Sequence, residues 1–159
     1  MSLAKKGHPN KKKPVIRYSN RRARRDYFIA EKIEAGVVLS GAEVKSVKTK
    51  SINLDLSLVQ IKKGEVFIVN AHIPPYQFST DQPYDPRQSR KLLLKKNQIK
   101  KLIEAKHNKL AIVPLSCYNK GGWIKVLLGI GKRKKKYEKK QILIERTLKK
   151  RLKTQPRNI

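Results

Sequence analysis

Two arginine pairs, Arg21-Arg22 and Arg24-Arg25, stand one residue apart just ahead of Tyr27-Phe28. Guanidinium forks grip phosphate oxygens two at a time, and flat rings stack on unpaired bases. This spacing therefore suits a nucleic acid. Tyr18, Tyr76, Tyr84, Tyr118, Trp123 and Tyr137 repeat the theme, each near a lysine, an arginine or a loop. Any one of these residues fits packing or solvated surface equally well. Together they favour structured RNA, and the preference for RNA over DNA rests on weaker grounds than the preference for a polyanion.

Catalytic chemistry has no comparable signal. The chain carries no phosphate-cradling glycine loop, no nucleophile elbow and no metal-ligand cluster. His72 lies in an apolar strand context, and Cys117 at a strand end reads as a small buried hydrophobe. Loop polarity and helix capping account for Asp81 and Asp85. The single cysteine excludes an internal disulfide and a multi-cysteine zinc site, and only His8, His72 and His107 offer imidazole. The expectation is a protein that is not an enzyme and needs no metal or cofactor.

The charge balance points the same way. The 159 residues hold 40 Lys and Arg against 11 Asp and Glu, a formal charge of +29. Residues 1–25 carry 10 basic and no acidic residues, and residues 132–159 carry 13 basic and 2 acidic. Ends of such like-sign charge repel themselves and resist collapse until a polyanion neutralises them. The bland alternative, a merely solvated tail, fits less well because mixed charge serves solubility better. No run approaches the roughly 18 apolar residues of a membrane span, and lysines take the place of a signal peptide's apolar stretch. A cytoplasmic protein without a membrane partner is expected.

The elements that must position these residues follow from periodicity. Residues 1–19 read as a disordered basic arm, 20–131 as one ordered domain and 132–159 as a basic tail. Tyr27 to Leu39 mixes aromatic and β-branched residues around Glu34-Ala35-Gly36, which predicts two short strands about a bend. Val44 and Val47 suit a short helix starting at Gly41. Leu54 to Ile61 and Glu65 to Ile73, joined by Lys62-Lys63-Gly64, predict a hairpin, and so do Leu110 to Cys117 and Trp123 to Ile130. Asp85-Pro86 predicts a helix start with Leu92, Leu93 and Leu94 buried. Asn97 predicts the cap of another helix, with Ile99, Leu102 and Ile103 on one face. About six strands with about three short packed helices make a mainly β fold, a small antiparallel barrel. In the tail, Lys132 to Lys136 is expected to stay unfolded alone. Ile144, Leu148 and Leu152 form a narrow apolar stripe on a basic helix, which folds either on a partner or on its own domain.

Several ordered motifs then become specific. Asn20-Arg21-Arg22-Ala23-Arg24-Arg25-Asp26-Tyr27-Phe28-Ile29, Glu34-Ala35-Gly36, Gly41-Ala42-Glu43-Val44-Lys45-Ser46, Asp85-Pro86, Ser89-Arg90-Lys91-Leu92-Leu93-Leu94 and Trp123-Ile124-Lys125-Val126 occur in this order. Over about Asn20 to Lys140 the chain resembles the small protein B (SmpB) family, the SsrA-binding proteins of bacterial trans-translation. The resemblance implies an oligonucleotide-binding (OB-like) barrel on the tRNA-like domain of transfer-messenger RNA. It also implies a monomeric adaptor that helps deliver that RNA, with elongation factor Tu and GTP acting through the RNA, to stalled ribosomes. Its RNA-contacting positions fall here on Asn20, Tyr27, Glu34 and Leu93, with Lys125 and the basic neighbours Arg21, Arg22, Arg24, Lys45, Arg90 and Lys91 as supports. A carboxylate such as Glu34 belongs in an RNA site if it accepts hydrogen bonds from bases or positions a cation. Holding the Gly36 bend is the alternative role. The competing class is a structural ribosomal protein whose tails thread ribosomal RNA.

The same resemblance implies that Lys134, Lys135, Tyr137, Glu138, Lys139 and Lys140 reach the decoding centre of the small subunit, helical only there. Arg133 replaces the family's usual glycine, and Gly131 two residues earlier is available as a bend. Lys140 keeps the charge of the usual arginine without its planar fork.

Overall fold

The computed structural model describes residues 17–49, 52–80 and 83–154. The chain runs β1 (Arg17–Ser19), α1 (Arg21–Asp26), β2 (Tyr27–Val37), α2 (Gly41–Thr49), β3 (Leu58–Lys62), β4 (Glu65–Val69) and β5 (Arg90–Leu93). It continues through α3 (Lys96–His107), β6 (Ala111–Lys120), β7 (Trp123–Arg133) and α4 (Lys136–Thr154). Among the described residues the seven strands form one antiparallel sheet in the order β1-β6-β7-β2-β5-β4-β3. The mainly β class and both hairpins are as the sequence predicts. The sheet is not closed into a barrel, however, because β1 and β3 remain edges.

Asn20 spans the gap that closure would have filled. Its Nδ2 donates to Leu54 O and to Pro114 O, both at 2.9 Å, while its Oδ1 accepts from the Ala23 amide and caps α1. The segment leading into β3 is thereby tied to β6 through one buried side chain instead of a ladder.

Three further expectations are corrected. Residues 27–37 form one continuous strand, since β7 and then β5 flank it and pair with Ala35 and Gly36 on schedule; the register slips earlier, between Ile29 and Glu31. Asp85-Pro86 starts a turn, not a helix: Asp85 Oδ1 accepts from the Arg87 amide, and the chain then enters β5. There Arg90 and Leu92 face inward while Lys91 and Leu93 face out, a period of two masked by the leucine run. The sheet also reaches beyond the expected 20–131 limits. Arg17–Ser19 pairs with β6, and Lys132-Arg133 pairs with Phe28 and Tyr27, so backbone ladder bonds order part of the basic ends.

The core lies on one face of the curled sheet. Val47 of α2 and Leu102 and Ala105 of α3 cover Ile33, Ala35, Val66, Ile68, Leu92, Val126 and Leu128. Burying each such aliphatic side chain contributes roughly 1.5–3 kcal/mol. A smaller cluster on the opposite face joins Ala23 of α1 to Val113 and Leu115, with Tyr27, Ile29 and Leu127 against it.

Gly131 is not a bend. It sits inside β7 opposite Ile29, and a Cβ there would lie 1.8 Å from the Phe28 carbonyl oxygen. Backbone cannot retreat as a flexible side chain can, so Gly131→Ala should lower stability by about 3 kcal/mol or more. Urea unfolding checks this, and an unchanged midpoint would refute the close packing of β2 on β7.

Candidate nucleic-acid interface

The first basic face is the outer side of β2, β5 and β7. Alternation along the strands turns Glu34, Lys125 and Leu93 outward, and pairing of Gly36 with both Lys125 and Leu93 makes them neighbours. Leu93 is 55% exposed, and Trp123, at the tip of the β6–β7 hairpin, is 75% exposed. The turn Gly121-Gly122 has φ of 59° and 83°, which lets β7 reverse directly behind Lys120. Tyr118 donates its hydroxyl to Glu34 Oε2, and Lys120 Nζ lies 3.3 Å from both carboxylate oxygens.

Glu34 therefore organises a cationic rim. The Tyr118 hydrogen bond first, then Lys120 and the charge of Lys125, hold its carboxyl below the ordinary glutamate value against the opposing effect of burial. The carboxylate fixes where the Lys120 ammonium stands. Tyr118 itself is buried and cannot stack on a base. Lys120 escapes a reading of the sequence; its place beside the Gly-Gly turn is the signal that marks it.

The second basic face is built by α1. Arg21, Arg22, Arg24 and Arg25 are exposed on this short helix. Arg21, Arg22 and Arg25, with Arg133, Lys140 and Arg146, line a groove of about 440 Å³ and an adjoining shallow one between α1 and α4. Tyr27 lines a neighbouring groove of about 280 Å³ with Arg22, Arg133, Leu56 and Leu58.

Two expected RNA contacts are buried instead. Asn20 is 2% exposed, with its amide spent on the gap between β3 and β6. Arg90 is 3% exposed and pairs at 2.8 Å with Glu43, itself 3% exposed. Its remaining donors go to Ala71 O, Gln88 O and Pro86 O. Both residues serve the fold, and their polar atoms are not free for a phosphate. Lys91 is outward but engaged with Glu65, and Lys45 on α2 stands apart, 5.6 Å from the Tyr76 ring centroid.

The tail residues divide similarly. Lys134 is buried, its ammonium 4.8 Å from the Phe28 ring centroid and its amide bonded to Asp26 O at 2.8 Å. Glu138 accepts from the Lys135 amide at 2.7 Å and caps α4, and Lys139 pairs with Asp26 at 3.1 Å. Tyr137 is 58% exposed, and Lys135 and Lys140 are exposed. The tail expected to be helical only on the ribosome is thus a 19-residue helix in the chain alone, anchored by its first turn, although it buries no residue.

Burial pushes the Cys117 thiol up to about 12, and no group of three or more His, Cys, Asp or Glu among the described residues is arranged to hold an ion. No helix among them is long and apolar enough to cross a membrane.

Comparisons with known proteins converge on one family. A family model described as SmpB protein matches residues 17–158. An SsrA-binding protein of Staphylococcus saprophyticus is 48% identical over 141 residues, covering 88% of this chain and 92% of the relative. One from Bacillus pumilus is 49% identical over 125 residues, covering 78% and 80%. Among solved structures, a chain described under "tmRNA-SmpB: a journey to the center of the bacterial ribosome" is similar at a TM-score of 0.63 and 41% identity, covering 76% of this chain and 85% of that one. With a family model spanning both basic faces and relatives nearly half identical over most of their length, the chain belongs to the SmpB family of SsrA-binding proteins.

Proposed function

We propose that the protein binds the tRNA-like domain of transfer-messenger RNA and serves as its adaptor in ribosome rescue. The observation that carries this reading is the open outer face, where Leu93, Trp123, Lys125 and the Glu34-ordered Lys120 make an exposed apolar and cationic surface on a rigid sheet. Exposed aromatic and aliphatic groups stack on or abut bases, and the lysines meet the backbone. The relatives' name, SsrA-binding protein, supports the same partner.

On this reading the basic α4 reaches the decoding centre of the small subunit through exposed Lys135, Tyr137 and Lys140, and elongation factor Tu with GTP is engaged only through the RNA. On the same reading the protein acts as a monomer. It works in the cytoplasm, without catalysis or a cofactor.

Titration of the tRNA-like domain across salt, with an elongator tRNA as competitor, tests the proposal. Counterion release makes any basic protein bind RNA at low salt, so the informative quantity is the ratio of the two affinities near physiological salt. The expected outcome is a preference of at least about tenfold that persists as salt rises. Equal, salt-labile binding to both RNAs would remove the adaptor reading and favour a protein that merely threads ribosomal RNA.

A further inference from the structure

Among the described residues, Asp26 is the one acidic side chain lining the groove of about 440 Å³ between α1 and α4, where cationic groups crowd the space around it; Asp55 lines the adjoining shallow groove. Its carboxylate is 12% exposed and lies 3.2 Å from Arg25 Nε, 3.9 Å from Arg22 Nε and 3.1 Å from Lys139 Nζ. Its carbonyl oxygen accepts from the Lys134 amide. The two arginines belong to the body and Lys139 to α4, so a single anion holds the two walls together. Beyond this point α4 buries nothing, and Arg133, Lys140 and Arg146 line the rest of the groove without an acidic partner there.

An anion held by Arg22, Arg25 and Lys139 occupies the position that a phosphate would take. The geometry points to this groove as a second RNA site, separate from the outer face, that takes a phosphodiester strand; Asp26 fills it when RNA is absent and clamps α4 to the body. A strand entering the groove displaces the Asp26 carboxylate from Arg22, Arg25 and Lys139. The hydrogen bond that the Lys134 backbone N–H donates to Asp26 O then remains as the tether, and α4 swings about Lys134-Lys135. This inference rests on the RNA-binding reading and adds to it a site and a coupling between that site and the tail.

Spin labels on the full chain at Lys106→Cys in α3 and Lys149→Cys in α4 read the clamp directly, since both positions are exposed and Cys117 is too buried to react. A narrow distance distribution is expected for the free protein, broadened by Asp26→Asn and, with Asp26 present, by a short oligouridylate. Asp26→Asn should also tighten oligouridylate binding about two- to fivefold by removing the competing anion. Arg22→Gln with Arg25→Gln should reduce the salt slope by about 0.7 for each phosphate that is no longer held. Thermal unfolding of each variant, expected within a few degrees of the parent, separates a lost site from a lost fold.

A distribution unmoved by Asp26→Asn, or one that stays narrow when oligouridylate is bound, overturns the clamp. If the tRNA-like domain still binds selectively in that case, the adaptor reading survives without it. Failure of both RNAs to bind removes the adaptor reading itself.

Discussion

Glu43→Ala is expected to lower the unfolding free energy by about 3–5 kcal/mol, the range for removing one partner of a buried ion pair. Arg90 would be left 3% exposed with its charge uncompensated, while Ser40, Gln88 and Tyr84 would lose the acceptor that joins them. The pair does more than link two side chains. Glu43 closes the capping box of α2 with Ser40, whose amide donates to Oε2 at 3.0 Å, and Arg90 binds the carbonyls of Ala71, Pro86 and Gln88. One salt bridge thus sets the start of a helix and the path of the connection from β4 to β5. Arg90→Met should be damaging to a similar degree, and the double variant Glu43→Leu with Arg90→Met should recover part of the loss. A chemical-denaturation cycle over the four proteins measures the coupling; additive single effects would show that the pair does not hold this region.

The same pair gives a pH dependence of definite sign. Burial raises the Glu43 value, but the Ser40 amide, the Gln88 amide and the Arg90 guanidinium together hold it below the ordinary 4.5. A carboxyl depressed on folding contributes stability that is fully present above its unfolded value and is lost as pH falls through the folded one. Acid below about 4.5 should therefore weaken the parent more than the double variant.

Charge reversal on the open face, Lys125→Glu, should reduce affinity for the tRNA-like domain by about 2–3 kcal/mol while leaving unfolding nearly unchanged. Lys125 is half-buried on the outer side of β7 opposite Gly36, and a carboxylate there would be a diagonal neighbour of Glu34 across the strand pair. Like charges that close repel each other and the incoming phosphates, and Glu34 would lose one of the cations that keep it ionised. Trp123→Ala at the hairpin tip should cost about 1–3 kcal/mol if its 75% exposed ring stacks on a base. Filter binding at fixed salt, with the elongator competitor present, distinguishes these losses from a general loss of charge. Unaltered selectivity in Lys125→Glu would move the specific site away from this face.

Asn20 shows why position in a motif does not decide a residue's work. An asparagine before four arginines reads as one more polar contact for RNA, yet it is also an ideal N-cap, and its amide has both an acceptor and two hydrogens to spend. The fold spends all three inside the protein: the two hydrogens bridge Leu54 O, ahead of β3, to Pro114 O of β6, and the oxygen caps α1. Arg90 misleads for a related reason. Its neighbours suggest a basic helix, whereas an inward position on β5 buries it against Glu43, forty-seven residues away.

Charge and turn chemistry are local properties, and the order of the motifs is specific. The partner class, the mainly β architecture and both hairpins are therefore legible in the residues alone. The resemblance to the family adds Glu34, Leu93 and Lys125 as expected contacts, and only the strand β5 turns Leu93 outward. Folding in three dimensions settles the rest: that the sheet stays open, that Asn20 and Arg90 serve the fold, that Glu34 holds Lys120, and that Asp26 fastens α4. Each of these depends on groups distant in the chain coming within hydrogen-bond or ion-pair reach. Spacing along a sequence carries no such distance.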